Sequence, residues 1–265
     1  MLTPACLAVL LCVASPTEAQ PPRAALVIDD LGYSLARGER AISLPIDATY
    51  GILPFTPFAR VLAERAHRAD REVILHLPMA SNGGRDADPG LLAVRHAPGA
   101  VESQLRDALA TVPHAVGVSN HMGSRATREP AVMRPLMRAV AVLGGYFLDS
   151  RTTSETIACD SAVELGVPAI ERDVFIDVDP TESAMRYQWQ RWQRTAQRRG
   201  SAVAIAHPHP STLSFLETAL TEPGSRSVEV VAVSELVKKR PEDQYPCQPY
   251  SFPSPKVARK SKPLP

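Results

Sequence analysis

Between Arg23 and Val237 the chain alternates short apolar runs with longer stretches in which apolar residues recur at helical spacing. A short run that ends in a turn or a polar cluster reads as a buried strand, and the periodic stretches between runs read as helices with one apolar face. Strands are expected on this basis at Ala24–Ile28, Thr49–Leu53, Glu72–His76, Ala115–Ser119, Tyr146–Leu148, Pro168–Glu171, Ala202–Ala206 and Val228–Val233. Helices are expected at Pro57–Ala69, where Phe58, Val61, Leu62 and Ala66 share a face, and at Val101–Thr111, Pro130–Leu143 and Ser183–Arg199. Alternating strands and helices make βα units and a mainly parallel sheet. Seven to eight such strands predict an α/β fold, a distorted (β/α) barrel that closes or nearly closes. Trp189 and Trp192, three apart on one helix face, are read as covering the barrel wall rather than binding sugar.

Both ends of the chain break this rhythm. The apolar run Ala5–Ala14 is followed by small residues up to Ala19, so residues 1–19 are read as a secretory signal peptide. No Lys or Arg precedes the run, which keeps an uncleaved anchor as the competing reading, although the run is short for a membrane span. At the other end, residues 241–265 are rich in Pro, Lys and Ser and are read as a flexible tail. The domain expected between them is 23–240, in a mature protein that is exported, periplasmic or extracellular, with no stable membrane span. In an oxidising compartment Cys159 and Cys247 either form one disulfide or stay as separate thiols.

Charge narrows the partners. Lys and Arg total 29 against 28 for Asp and Glu, a net charge of +1, so the chain has no field that would draw it to nucleic acid. The sequence carries no signal for an oligomeric state.

The residues at the carboxyl end of each apolar run change the picture more. Side chains just beyond strand carboxyl ends meet on one rim of a parallel α/β fold. Here those positions hold Asp29 and Asp30, His76, Asn120 and His121, Asp149, Arg172 and Asp173, then His207 and His209. Taken singly, an acid such as Asp149 or Asp173 is as well explained as a helix cap, and His67, His96 and His114 as surface residues. Taken together, adjacent acids and several imidazoles on one rim are costly to desolvate unless a cation or a reaction uses them. Carboxylate and imidazole donors suit a divalent metal of the zinc type with an open position for water, and such a centre is suited to hydrolysis of an amide or ester. No serine or cysteine sits in a Gly-x-Ser-x-Gly context, which disfavours acyl transfer through a covalent intermediate.

Six segments carry a resemblance. Val27-Ile28-Asp29-Asp30-Leu31-Gly32-Tyr33, Leu75-His76-Leu77-Pro78-Met79, Val116 to Ser124, Phe147-Leu148-Asp149-Ser150-Arg151-Thr152-Thr153, Arg172-Asp173-Val174-Phe175 and Ala206-His207-Pro208-His209-Pro210 together resemble the motif series of the divergent polysaccharide deacetylases. The similarity runs from about Ala24 to Leu236. It implies a relative of the metal-dependent carbohydrate esterases that remove N- or O-acetyl groups from polysaccharides, on a distorted (β/α) barrel. It also implies Asp29 as catalytic base and Asp30 as metal ligand. The family's second motif supplies two histidines four apart; here His76 matches the first, but position 80 is alanine. His121, at the next strand end, is expected to supply the missing imidazole, giving a ligand set of Asp30, His76 and His121. The resemblance further implies His207 as general acid, with His209 orienting it or capping the next helix. Asp149, Arg172 and Asp173 are expected to support the base, and Asn120 to touch substrate or a metal-bound water.

The function expected is therefore an exported, metal-dependent hydrolase of non-peptide carbon–nitrogen or ester bonds, acting on a cell-envelope glycan. Two alternatives stand beside it: a catalytically inactive glycan- or partner-binding envelope protein, and a metal-dependent amidase or esterase on a non-carbohydrate substrate.

Overall fold

The apolar runs form the wall of a barrel. A computed structural model describes residues 21–83, 88–95, 97, 99–222 and 227–238. Its strands are β1 (Arg23–Leu31), β2 (Thr49–Ile52), β3 (Glu72–Met79), β4 (Ala115–Met122), β5 (Tyr146–Asp149), β6 (Ala169–Glu171), β7 (Val174–Phe175), β8 (Ser201–Ala206) and β9 (Glu229–Val230). The helices are α1 (Leu35–Ile42), α2 (Ala59–Arg68), α3 (Ala100–Thr111), α4 (Pro130–Leu143), α5 (Ala158–Glu164), α6 (Glu182–Arg199), α7 (Pro210–Thr221) and α8 (Val233–Lys238). The strands lie in the order β6-β5-β4-β3-β2-β1-β8-β7, with β9 added beside β1, and every pairing is parallel.

Alternation along the strands separates two apolar layers. Ala24, Leu26 and Ile28 of β1 face the helices, in a core shared with Leu62, Leu105, Leu136, Trp192 and Leu216. Ala25 and Val27 face the other way, into a lumen filled by Ile74, Tyr146, Leu148, Ile170, Val203 and Ile205. Trp189 and Trp192 are both buried against the wall, and the Trp192 indole N–H donates to the Ala202 carbonyl at 3.3 Å.

The barrel closes through a seam rather than a ladder. Residues 169–175 pair first with β5, through β6, and then with β8, through β7, so Arg172 and Asp173 mark the point where the chain changes partner. The expected strand Pro168–Glu171 stops short of β7, which holds only two residues and leaves no apolar run to read. The expected strand Val228–Val233 is cut to the two residues of β9, because Val233 already begins α8.

Helix α8 plugs the floor of the barrel. Glu72 Oε1 accepts hydrogen bonds from the Thr49 hydroxyl at 2.9 Å, the Tyr146 hydroxyl at 2.8 Å and the Ser234 N–H at 3.2 Å. Thr49 Oγ1 in turn accepts the Val233 N–H at 3.0 Å. Barrel side chains thus satisfy the free N–H groups that open this short helix. Gly117 leaves room for the Tyr146 ring, since a Cβ there would lie 2.7 Å from it.

Cys159 on α5 is disulfide-bonded. Cys247, the partner in one of the two expectations, lies outside the described residues, as do the leader 1–19, the tail 241–265 and His96. His67 and His114 are exposed, with their rings stacked at 3.8 Å. Among the described residues no helix is long and apolar enough to cross a membrane.

Replacing Glu72 with alanine strands buried donors on Thr49, Tyr146 and the start of α8. We expect a loss of about 1–3 kcal/mol in urea unfolding. Unchanged stability would show that α8 does not depend on this carboxylate.

Candidate metal centre

The residues expected just after strands β1, β3 and β4 lie within them, because the ladders run further than the apolar runs do. The pairing of β3 with β4 continues through His76 with Ser119, Leu77 with Asn120 and Pro78 with His121 to Met79 with Met122. On β1 a register irregularity falls between Ile28 and Leu31, and Asp30 adopts a left-handed backbone with φ 60°. Adjacent residues of a regular strand point to opposite faces, whereas a bulge re-aims one of them. Both acids consequently reach one imidazole. Asp29 Oδ1 lies 3.5 Å from His76 Nδ1, and Asp30 Oδ1 lies 3.2 Å from His76 Nε2. Gly51 of β2 makes room for the first of them, since a Cβ at that position would sit on Asp29 Oδ1.

Three donor atoms converge at the rim. Asp30 Oδ1 is 2.9 Å from His121 Nδ1, and that nitrogen is 3.2 Å from His76 Nε2. With metal–ligand bonds near 2.0–2.1 Å, tetrahedral coordination separates its donors by about 3.3 Å, close to this spacing. The carboxylate oxygen is buried and accepts no hydrogen bond of ordinary geometry despite its two close neighbours. An oxygen held between two imidazoles by charge rather than aligned N–H donors suits a shared cation, and Asp30, His76 and His121 form a group able to hold a metal ion. The remaining ring nitrogens are also engaged. His76 Nδ1 contacts Ser119 Oγ at 2.7 Å, and His121 Nε2 lies 3.3 Å from Asp88 Oδ2.

Electrostatics divides the two acids. Burial pushes the Asp29 carboxyl up, with His76 opposing, and its Oδ1 has no hydrogen-bond partner. Burial would also raise Asp30, but His121 and His76 outweigh it and hold that carboxyl well below the usual carboxylate range. Burial disfavours charge on His121, yet Asp30 more than compensates and raises it.

On the adjoining strand, the β1–β8 register places His207 next to Asp29, one step past the Ile28–Ala206 pair. Its Nδ1 is 2.9 Å from Asp177 Oδ1, while Asp177 Oδ2 accepts the His207 N–H at 2.7 Å and the Thr212 hydroxyl at 2.9 Å. Burial would lower this imidazole, but the Asp177 carboxylate raises it to about 9. Asp177 was not among the residues expected at the rim, since it comes after a two-residue strand too short to register as an apolar run. Asp88 was not expected either, because it stands on an irregular segment with no periodicity to mark it.

The other residues expected at the rim make contacts of their own. His209 occupies the N-cap of α7 without a side-chain cap bond, its ring centre 6.1 Å from that of His207, whose Nδ1 is held by Asp177. Asp149 is buried at the end of β5. Its carboxylate accepts the Arg151 N–H at 2.7 Å and the Thr156 hydroxyl at 2.7 Å, fixing the loop after β5. Asn120 is buried, accepting the Ser150 N–H and donating to the Met122 carbonyl, and so braces two rim loops. Asp173 sits lower on the wall, at the seam, where it accepts the Val203 N–H at 2.9 Å and pairs with Arg199 at 3.1 Å. Arg172 donates to the Ser150 and Arg151 carbonyls, and its guanidinium lies 3.8 Å from the centre of the Phe175 ring, which stacks against His207. Ala80, where the resemblance puts a second histidine, is buried, with its carbonyl accepting the Arg125 and Ala126 N–H groups.

A family model described as divergent polysaccharide deacetylase matches residues 26–237. The chain belongs to that family. Among relatives of this deacetylase-family chain, the uncharacterized protein YibQ of Escherichia coli K12 is 38% identical over 210 residues, covering 79% of this chain and 65% of that protein. This chain therefore spans slightly less than two thirds of that relative's length. An uncharacterized protein of Haemophilus influenzae Rd is 33% identical over 196 residues, or 74% of this chain and 70% of its own length. The crystal structure of the uncharacterized protein ATU2773 from Agrobacterium tumefaciens C58 superimposes with a TM-score of 0.78 at 26% identity, covering 83% of this chain and 91% of that one. BA3943 of Bacillus anthracis, described as a CE4 family pseudoenzyme, shares the fold, with a TM-score of 0.51 at 16% identity over 82% of this chain and 66% of its own.

A raised histidine pKa contributes stability that is complete below about 6.5, the ordinary value, and lost as pH climbs through about 9. In Asp177→Asn the His207 titration, followed by NMR, should fall from about 9 to the ordinary histidine range or below. The stability of the variant should then lose its fall above neutrality. A His207 titration unmoved by the substitution would remove Asp177 as the cause.

Proposed function

We propose that this protein is an exported, metal-dependent hydrolase that removes N- or O-linked acetyl groups from a cell-envelope polysaccharide. The observation that carries this reading is the convergence of Asp30 Oδ1, His76 Nε2 and His121 Nδ1 on one rim, beside a histidine held by its own carboxylate. In this reading those three residues hold a divalent cation of the zinc type. When bound, such an ion supplies Lewis acidity to an acyl carbonyl and makes a water more acidic.

The chain's own residues would handle the protons. Asp29 is the acceptor: burial raises its pKa towards the working range, and its free Oδ1 can take a proton. His207 is the donor. With a pKa of about 9 it is protonated at neutral pH, and Asp177 keeps the ring fixed through Nδ1, which makes Nε2 the nitrogen that would protonate a leaving group. A carboxyl raised by burial beside an imidazole raised by its own carboxylate partner matches a base and an acid working together. Export rests on the leader pattern at residues 1–19, and the glycan substrate on family membership.

The alanine at position 80 favours a second reading, glycan binding without turnover. Acetate release from acetylated glycan oligomers by the zinc-loaded protein separates the two. We expect Asp30→Ala to lose both metal and activity. Asp29→Asn should keep metal and lose about 100-fold or more in kcat. Metal bound at one equivalent with no acetate released from any acetylated glycan would favour the binding protein. A wild type that takes up no divalent metal would end the hydrolase reading.

A further inference from the structure

We infer that Asp88 is a positioning residue for the metal centre, the carboxylate that fixes the ring of His121 and sets its strength as a ligand; this rests on the metal reading above. The ring stands between two carboxylates. His121 presents Nδ1 to Asp30 and His76, and on the opposite side of the ring Nε2 lies 3.3 Å from Asp88 Oδ2. Metal-bound imidazoles commonly donate their second N–H to a carboxylate, which selects the tautomer and raises the basicity of the ligating nitrogen. His76 has only the neutral Ser119 hydroxyl at 2.7 Å on its Nδ1, with the Asp29 carboxylate more distant at 3.5 Å. The nearer carboxylate on a nitrogen facing away from the cluster thus belongs to His121, the histidine that comes from outside the expected pair.

Asp88 is built into place. The segment beyond it returns to the end of β3: Leu92 donates to the Pro78 carbonyl at 2.8 Å, and Ala80 donates to the Leu92 carbonyl at 3.0 Å. The Gln104 side chain of α3 donates to the carbonyls of Gly90 and Leu91, both at 2.6 Å. Gly90, at φ 75°, lies under the Phe55 ring so closely that a Cβ would be 2.3 Å from it. On the rim side the Tyr33 hydroxyl donates to Asp88 Oδ1 at 3.4 Å. Strand end, helix and two aromatic residues thus brace the described residues 88–92, of which Asp88 contacts the metal centre. An aspartate carried on a random loop would have no such bracing.

Zinc affinity, measured by competition with a chromophoric chelator, tests this. We expect Asp88→Ala to weaken binding about 10- to 100-fold, and Asp88→Glu to restore most of the loss. The thermal midpoint of each metal-free variant should stay at the wild-type value, since a merely structural residue would lower it. Cobalt substituted into Asp88→Ala should give a shifted visible spectrum, reporting a changed ligand field at His121. Asp88→Ala that binds zinc as tightly as the wild type, while Asp30→Ala does not bind, would overturn the role of Asp88 and leave the metal reading standing. A wild type that binds no zinc would overturn both.

Discussion

Two adjacent carboxylates cannot share one side of a β-strand unless the backbone between them turns, and the site depends on that turn. Asp30 in the left-handed region costs on the order of 1 kcal/mol, a conformation that aspartate tolerates better than most residues. Its effect is to bring a second acid to His76, which Asp29 already approaches from below. Everything else at the rim answers to this crowding of negative charge. Two histidines face Asp30, and Gly51 clears space for Asp29. A third histidine, paired with Asp177, stands next along the sheet. Without positive charge at the centre, a buried acid beside a half-buried one would be among the least favourable features of the fold.

The barrel keeps that arrangement rigid by separating tasks along its axis. The floor is closed by α8 and the Glu72 network, and the middle by a tight aliphatic layer. The acids and histidines of the site lie at the top, where the strands outrun their apolar segments. Asn120, Asp149 and Arg172 were expected to serve the substrate or the base, but their hydrogen bonds hold rim loops together. This is support of a mechanical kind. Site residues on strand ends keep their geometry only if the turns beyond them are pinned.

The strands were legible because burial on both faces demands continuous apolar runs, and Ala24–Ile28 and Ala202–Ala206 are such runs. Elements of two residues leave no run to read, which is why β7 was missed and β9 overdrawn. Helices α1 and α5 are short, and charged residues break up the apolar pattern of α1, so neither stood out. At the site, the acids and histidines of β1, β3, β4 and β8 were visible because polar residues after apolar runs are conspicuous. Asp177 and Asp88 were not, because each acts through a histidine that lies distant in sequence. Their partners, 30 and 33 positions away, meet them only once the barrel has formed. A carboxylate that orients an imidazole has no local spacing to betray it.

The seam at Arg172 and Asp173 bears on how the wall responds to load. Because β6 pairs only with β5 and β7 only with β8, the sheet is a spring clip rather than a hoop. Along every other line the wall can widen only by breaking ladder hydrogen bonds, whereas here the two edges can part while each keeps its own partner. Phe175, against which His207 stacks, stands on one jaw of that clip, and Asp30, His76 and His121 stand on the strands of its back. Opening the jaws would draw Phe175 off the Arg172 guanidinium, which is tied to the loop after β5, while β8 keeps His207 on its ladder beside Asp29.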